Sequence, residues 1–180
     1  MASVPRYYWD ACIWIELITQ ADEERKSRCM NVLRLAENGR AEIWTSTLTL
    51  AEVFKRKCED TNASLPQSRD REFEDYIEKD FIKKVGVDVE VATLARRLLR
   101  TFSELKKPSD AVHLASCLLH NLDELHTFDE TNLIKLDGRI KRKDRLTLAI
   151  KPPPDSDEDR QLEIPTTPPQ AAPVTASNNH

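Results

Sequence analysis

The sequence predicts an α/β fold in which a parallel sheet of four to five strands is covered by helices on both faces. Along the first 150 residues, short runs of aromatic and β-branched residues alternate with longer helical patterns, which is typical of a parallel sheet. The length of 180 residues and the hydrophobic content of 39% fit a single domain with one hydrophobic core.

The first third of the chain begins with a short aromatic strand. Residues 6–9 read Arg-Tyr-Tyr-Trp and end at Asp10, after which the pattern predicts a helix over residues 11–20. Asp22 opens a second helix, and Gly39 is placed to end it. We therefore expect a strand followed by two helices in this part of the chain.

The middle and last thirds repeat the alternation. Residues 42–45 predict the second strand, and Ser46 is the N-cap of a helix that runs to about Cys58. Pro108 and Ser109 mark a strong helix start. The remaining elements are, in order, helix 68–79, strand 81–87, helix 89–102, helix 110–122, strand 124–127 and strand 146–150.

The last thirty residues differ from the rest. Residues 151–180 contain seven of the ten prolines and no Phe, Tyr, Trp or Gly, with two basic against five acidic side chains. Such a segment cannot bury enough apolar surface to offset the entropy of ordering, which predicts a disordered acidic, proline-rich tail after a domain of residues 1–150. The domain itself holds 25 basic and 26 acidic side chains, so its net charge indicates no class of partner.

The chain shows no apolar run of about 18 residues that would predict a membrane span. The first nine residues lack the basic start and apolar run of a secretory signal, so we expect a cytoplasmic protein with no membrane partner. The four cysteines are scattered without a C-x-x-C pair, which favours reduced, buried thiols.

Four acidic residues occupy equivalent places in successive strand–helix units. Asp10 and Asp129 come where a strand gives way to the next segment, and Glu52 and Asp110 lie in the predicted first turns of helices. In an open α/β sheet, ligands bind beyond the carboxyl ends of the strands. Folding is therefore expected to bring the four carboxylates to one edge.

Each acid also has a purely structural interpretation. Glu52 has Lys55 and Arg56 within one helical turn and is able to form an ordinary surface ion pair. Asp110 has favourable interactions with a helix dipole, and Asp10 and Asp129 are typical cap or turn residues. Their joint placement argues for a shared role.

The sequence resembles the PIN domain family, and within it the VapC-type toxin ribonucleases. Four segments carry the resemblance in family order, over about residues 5 to 150: YWDAC at 8–12, STLTLAE at 46–52, SDAVHLA at 109–115 and TFD at 127–129. The resemblance implies a PIN-like fold and a metal-dependent endoribonuclease. It also implies a homodimer and a small antitoxin protein as a partner. Many members have Ser or Thr two residues after the first Asp, where this chain has Cys12.

The resemblance implies that Asp10, Glu52, Asp110 and Asp129 are both the catalytic and the metal-binding residues. Chemistry agrees with that assignment, because Mg²⁺ and Mn²⁺ prefer hard carboxylate oxygens and a divalent cation neutralises clustered acids. We expect the three aspartates to hold the ion, with Mg²⁺ as the cofactor and Mn²⁺ as a substitute. Glu52 is expected to bind an ion and orient the attacking water.

RNA binding requires positive charge near the acids. Lys55, Arg56, Lys106 and Lys107 lie next to the proposed catalytic segments and are candidates for phosphate contacts. Asn132 matches a family position that carries a further polar side chain, and it is a candidate for the same surface.

Three alternatives remain open at this point. The first is a zinc site on the stripe of His113, Cys117 and His120, although a polar or half-buried helix face explains the same spacing. The second is a catalytically inactive PIN-like module that binds RNA or protein. The third is a DNA nuclease with the same acids.

Overall fold

A computed structural model of the chain describes residues 4–19, 21–54 and 64–155. The strands are β1 (Arg6–Trp9), β2 (Glu42–Ser46), β3 (Ile82–Val85), β4 (Glu124–His126) and β5 (Ala149–Lys151). The helices are α1 (Ala11–Thr19), α2 (Glu23–Glu37), α3 (Thr47–Glu52), α4 (Gln67–Ile77), α5 (Val89–Thr101) and α6 (Pro108–Leu119), with a 3₁₀ turn at Ile134–Leu136. The candidate residues Lys55 and Arg56, and residues 156–180 of the predicted tail, lie outside the described residues.

The five strands form one sheet in the order β3-β2-β1-β4-β5, and every pairing is parallel. The central strand β1 pairs Tyr8 with Trp44 of β2 on one side and with Leu125 of β4 on the other. The predicted α/β fold with a parallel sheet is therefore confirmed.

Side chains of β1 alternate between two hydrophobic cores, as the period of a strand requires. Tyr7 and Trp9 pack with residues of α1, α2 and α4, whereas Tyr8 packs with residues of α5 and α6 on the other face. All three side chains are fully buried. Helices thus cover both faces of the sheet, as predicted, and the aromatic side chains of this strand belong to the cores.

Three predicted helix-end signals, at Asp22, Ser46 and Gly39, are confirmed. The Asp22 carboxylate accepts hydrogen bonds from the amides of Glu24 and Arg25, and Ser46 Oγ accepts one from the Leu48 amide. Gly39 follows α2 with a φ of 67°, a left-handed conformation that suits glycine.

Several element boundaries differ from the prediction, and α6 spans Pro108–Leu119 where residues 110–122 were expected. The helix expected from Ser46 to Cys58 ends at Glu52, so Glu52 lies at the end of a six-residue helix rather than in the first turn of a longer one. The side chains of Leu50 and Phe54 beside it are exposed. The strand expected over residues 81–87 contains only Ile82–Val85.

The last strand is shifted along the chain. Residues 146–150 were predicted as a strand, but Leu146 is 61% exposed and Thr147 forms an antiparallel bridge with Lys141. The pairing with β4 involves Ala149–Lys151 instead, because residues 141–147 first turn back on themselves. Apolar alternation alone did not distinguish these two roles.

The described fold continues beyond Ile150, where the domain was expected to end. Lys151 pairs with His126 in the sheet, Pro153 is buried, and Asp155 forms an ion pair with Arg28 of α2. Within the described residues, no helix combines the length and apolarity that crossing a bilayer requires.

Candidate active site at the carboxyl edge of the sheet

The four predicted acids lie around the carboxyl ends of three neighbouring strands, β2, β1 and β4. Asp10 follows β1 directly, and Asp129 follows β4 after Thr127 and Phe128. Glu52 ends α3, which starts immediately after β2, and Asp110 is in the first turn of α6. Parallel topology therefore gives all four residues access to one edge.

Asp10 is buried and caps α1. Its Oδ1 atom accepts hydrogen bonds from the amides of Cys12 at 3.0 Å and Ile13 at 3.2 Å. Burial raises the pKa of the Asp10 carboxyl above its ordinary value, although the charge of His113 and these hydrogen bonds oppose the change. The cap interpretation of Asp10 is thus correct, and it leaves an acid held at the end of the central strand.

Cys12 stands where the resemblance predicts a hydroxyl residue, and its thiol connects two segments of the site. The thiol donates to Asp10 Oδ1 at 2.8 Å and lies 3.3 Å from Thr127 Oγ1. The Phe128 amide donates to the sulfur at 3.2 Å. The thiol therefore links the end of β1 to the segment that carries Asp129.

Asp110 is a buried carboxylate with other negative charges near it. It is 8% exposed, and its Oδ2 atom is buried without a hydrogen-bond partner among the described residues. Burial, followed by the negative charges of Asp129 and Asp10, raises the pKa of Asp110 to about 6, although Lys107 and His113 oppose the change. A buried carboxylate next to like charges requires a cation to be stable in its charged form.

Asp129 is held by the turn that follows it. Its Oδ1 atom accepts hydrogen bonds from the Thr131 amide and hydroxyl and from the Asn132 amide, at 2.6–3.1 Å. The side-chain amide of Asn132 donates to Oδ2 at 2.9 Å. Burial would raise the pKa of Asp129, but these hydrogen bonds outweigh it and lower the pKa below its ordinary value. Asp129 is therefore charged and fixed in orientation.

Asn132 was predicted as an RNA-contacting residue, and the structure gives its side chain a different contact. The residue is 7% exposed, and its Nδ2 atom bonds Asp129 Oδ2 and Thr131 Oγ1. This arrangement orients the Asp129 carboxylate.

Glu52 is joined to the site through His113 of α6. Glu52 Oε2 lies 2.7 Å from His113 Nε2, and His113 Nδ1 lies 2.9 Å from the hydroxyl of Tyr8. Burial tends to lower the pKa of His113, but the hydrogen bond and charge of Glu52, with Asp10 and Asp110, outweigh it and raise the pKa. The partner of Glu52 in this structure is thus a buried histidine.

Electrostatic interactions connect the four acids. Burial and the charges of Asp129 and Asp10 raise the pKa of Asp110. Burial lowers the pKa of His113, whereas Glu52, Asp10 and Asp110 raise it. As the side chains stand, however, no three His, Cys, Asp or Glu residues in the described ranges are grouped closely enough to hold a metal ion. Asp110 is thus coupled to the other two aspartates directly and to Glu52 through His113, and the four carboxylates do not form a coordination shell among the described residues.

The donor set of this region fits a hard divalent cation. All the candidate ligands are carboxylates, and the buried Oδ2 of Asp110 has no protein donor in the described part of the chain. Mg²⁺ and Mn²⁺ take such oxygen ligands and commonly bind through a few carboxylates and retained waters. A preformed cage is therefore not needed for the residues present to suit such an ion.

Of the predicted phosphate-binding residues, Lys106 and Lys107 are described and exposed. Lys107 immediately precedes α6, and its charge acts on the pKa of Asp110, which places it near the acids. Lys107 is therefore the best placed of the candidates that the structure describes.

The stripe of His113, Cys117 and His120 is not the polar face that the periodicity indicated. His113 is 3% exposed and Cys117 is fully buried, because α6 packs between the sheet and α5. His120 instead lies against Trp44, with ring centroids 5.4 Å apart. The three side chains face different neighbours, and no such metal group occurs among the described residues.

Sequence reasoning missed the role of His113 and Tyr8. His113 follows Asp110 by three residues and so lies on the same side of α6, a spacing that the sequence contains. Tyr8 lies on the predicted aromatic strand, but nothing in the sequence indicates that its hydroxyl contacts a histidine 105 residues away.

Comparison with known proteins identifies the family of this chain. The sequence model of the PIN domain matches residues 7–139. Among the solved structures that resemble the chain are two that each share 16% sequence identity with it. One is Mycobacterium tuberculosis VapC20, a sarcin-ricin loop cleaving toxin (TM-score 0.51), with 68% of this chain and 89% of that chain covered. The other is VapBC2 from Rickettsia felis bound to a DNA fragment from their promoter (TM-score 0.55), with coverages of 81% and 98%. No curated protein sequence matches the chain.

Proposed function

Because the chain belongs to the PIN domain family, we propose that it is a divalent-metal-dependent endoribonuclease that acts as the toxin of a toxin–antitoxin pair. The observation that carries the proposal is Asp110, a buried carboxylate beside two further aspartates, with an oxygen that no group in the described ranges hydrogen-bonds. A protein that needed this residue for the fold alone would be expected to pair its charge, as it does for acids elsewhere.

In this proposal, Asp10, Asp110 and Asp129 hold Mg²⁺, with Mn²⁺ as a substitute, and Glu52 contributes to the same region. The bound cation would lower the pKa of a water molecule and stabilise charge that develops on the scissile phosphodiester. Asn132 holds Asp129 in a fixed orientation. Glu52 would orient the attacking water.

The substrate is proposed to be RNA, in keeping with VapC20, the structurally similar toxin that cleaves the sarcin-ricin loop. Lys106 and Lys107, and Lys55 and Arg56 outside the described residues, are the candidate phosphate contacts. Phosphate recognition predicts that RNA affinity falls steeply between low and moderate salt.

An antitoxin protein is the proposed partner, because the solved structures that resemble the chain include a VapBC complex. We also propose a homodimer and a cytoplasmic location. Light scattering on the purified chain tests the dimer. Expression in a bacterial host tests the toxin role, since the wild type is expected to arrest growth and Asp10→Asn is not.

The decisive experiment is RNA cleavage with and without metal. Purified protein is incubated with tRNA, ribosomal RNA and mRNA in Mg²⁺, Mn²⁺ or EDTA. We expect cleavage that requires metal and that falls by more than about 100-fold in Asp10→Asn, since metal stabilisation of the transition state contributes several kcal/mol.

The matched control is Asp80→Asn. It removes an exposed carboxylate just before β3, at the end of the sheet where the strands begin, away from the four acids. It is expected to cleave like the wild type. RNA binding without cleavage would indicate an inactive binding module, and cleavage of DNA alone would indicate a DNA nuclease; either result would overturn the proposal.

A further inference from the structure

A chain of two hydrogen bonds runs from the core of the molecule to Glu52. The hydroxyl of Tyr8, on the central strand, lies 2.9 Å from His113 Nδ1, and His113 Nε2 lies 2.7 Å from Glu52 Oε2. Tyr8 is fully buried and His113 is 3% exposed, so two rigid elements, β1 and α6, hold the inner part of the chain. This connection plays no part in the metal-ligand assignment above.

The direction of the hydrogen bonds follows from the chemistry of the groups. A carboxylate only accepts hydrogen bonds, so Nε2 of His113 must carry a hydrogen and donate it to Glu52. In the neutral ring, Nδ1 is then an acceptor, and the Tyr8 hydroxyl donates to it. The bond to Glu52 therefore requires a hydrogen on Nε2, and in the neutral ring the Tyr8 hydroxyl is the matching donor to Nδ1.

Glu52 is carried by a short helix. It ends a helix of six residues, and the neighbouring side chains of Leu50 and Phe54 are 44% and 49% exposed, so α3 is only partly packed. Asp10 and Asp129 are held by amides of their own turns. The bond from His113 ties Glu52 to α6, the helix that also carries Asp110.

We propose that His113, oriented by Tyr8, is a positioning residue that holds the Glu52 carboxylate in register with Asp110. This inference rests on the proposed function, because it assigns a support to one of the acids of the metal site. Partners of this kind fix the orientation of ligands, and their loss typically costs about 10–100-fold in metal affinity or activity.

The chain offers a matched control in its second buried histidine. His126 repeats the arrangement, since Trp9 Nε1 donates to its Nδ1 at 3.1 Å and its Nε2 lies 3.0 Å from Glu124. Glu124 is not one of the four acids and pairs with Lys151. Substitution of His126 thus tests the cost of losing a buried donor–histidine–glutamate chain without touching Glu52.

The test measures Mn²⁺ binding by electron paramagnetic resonance, together with kcat and KM for RNA cleavage. We expect His113→Leu to weaken Mn²⁺ binding about 10–100-fold and to lower kcat more than it raises KM. His113→Gln should recover most of both, because its amide keeps a donor near the position of Nε2, and Tyr8→Phe should have a smaller effect of the same kind. His126→Leu, the matched loss of the other buried histidine, should leave Mn²⁺ affinity within about twofold of the wild type.

A measurement on the wild type is independent of whether the variants fold. Nitrogen-15 NMR of the histidine side chains is expected to show His113 with a slowly exchanging hydrogen on Nε2. An Nε2 that carries no hydrogen would overturn the positioning role.

Failure of the two proposals can be told apart. Wild-type protein that binds no Mn²⁺ and cleaves no RNA would overturn the proposed function. Wild-type protein that does both, with a His113→Leu variant of unchanged Mn²⁺ affinity and kcat, would overturn only the role of His113.

Discussion

Asp123 at the amino edge of the sheet and Asp110 at the carboxyl edge are both carboxylates held by the fold, but their surroundings differ. Asp123, just before β4, accepts from the Arg6 amide at 2.8 Å and pairs with the side chain of Arg142. Asp110 has a buried oxygen without a donor in the described part of the chain, and two aspartates in its electrostatic neighbourhood. At the amino edge the chain supplies its own cations, so acids there stabilise the fold. At the carboxyl edge acids accumulate, and in the proposed function a cation from outside would neutralise them.

The largest effect expected from this difference is stabilisation by metal. Mg²⁺ or Mn²⁺ at about 100 times its dissociation constant should raise the free energy of unfolding by about 2.7 kcal/mol, because the ion binds the folded state alone. Thermal or denaturant unfolding with and without EDTA measures it. Asp110→Asn should lose this response and Asp123→Asn should keep it, and an equal response in both variants would place the ion elsewhere.

The second prediction concerns the paired edge. Asp123→Asn should lower the free energy of unfolding by about 2 kcal/mol, because Arg142, whose side chain is 7% exposed, loses a charged partner. Urea unfolding at neutral pH measures the change. Glu78, an exposed acid at the C-terminal end of α4, supplies the control. Glu78→Gln should leave the free energy of unfolding nearly unchanged.

The third prediction concerns pH at the unpaired edge, in metal-free protein. The pKa of Asp110 is raised from 3.8 to about 6 in the folded state, so the folded state holds this proton more tightly than the unfolded one. The contribution of Asp110 to stability is therefore best at pH values below 4 and is lost as the pH rises through 6.

Asp110→Asn removes this titration. In EDTA, the variant should match the wild type near pH 4 and become more stable by about 1–2 kcal/mol above pH 7, allowing for solvent screening. Urea unfolding across this range measures the difference between the two proteins. A difference that stays constant with pH would contradict the raised pKa of Asp110.

The fold was predictable because its signals are local. Asp22 and Ser46 cap helices through their own side chains, and the alternation of Tyr7 and Tyr8 between two faces follows from the geometry of a strand. The last strand was predicted to begin at residue 146 but begins three residues later, at Ala149. Leu146 and Thr147 are apolar or β-branched, yet they belong to a surface turn. Apolar sequence without a cap or glycine does not specify which residues pair.

The sequence predicted at which edge of the sheet the acids lie, but not the contacts that their side chains make. The positions of Asp10 and Asp129 after strands indicated where they would lie, since strand ends meet in a parallel sheet. The contact between Glu52 and His113 could not be read from the sequence, because it depends on the short length of α3 and on the packing of α6. Long-range side-chain pairing of this kind carries no periodic signal.

The smallest predicted effect distinguishes two roles for Asn132. Asn132→Ala removes the hydrogen bond to Asp129 Oδ2, so it should raise the pKa of Asp129 and lower the free energy of unfolding by about 1 kcal/mol. A residue that orients Asp129 should affect kcat and Mn²⁺ affinity while KM for RNA stays unchanged. A residue that contacts RNA should raise KM at unchanged Mn²⁺ affinity, which is also the outcome expected for Lys107→Ala, the matched substitution at an exposed cation near the site. Comparison of the two variants in the same salt series therefore separates support of the acidic edge from recognition of the phosphate chain.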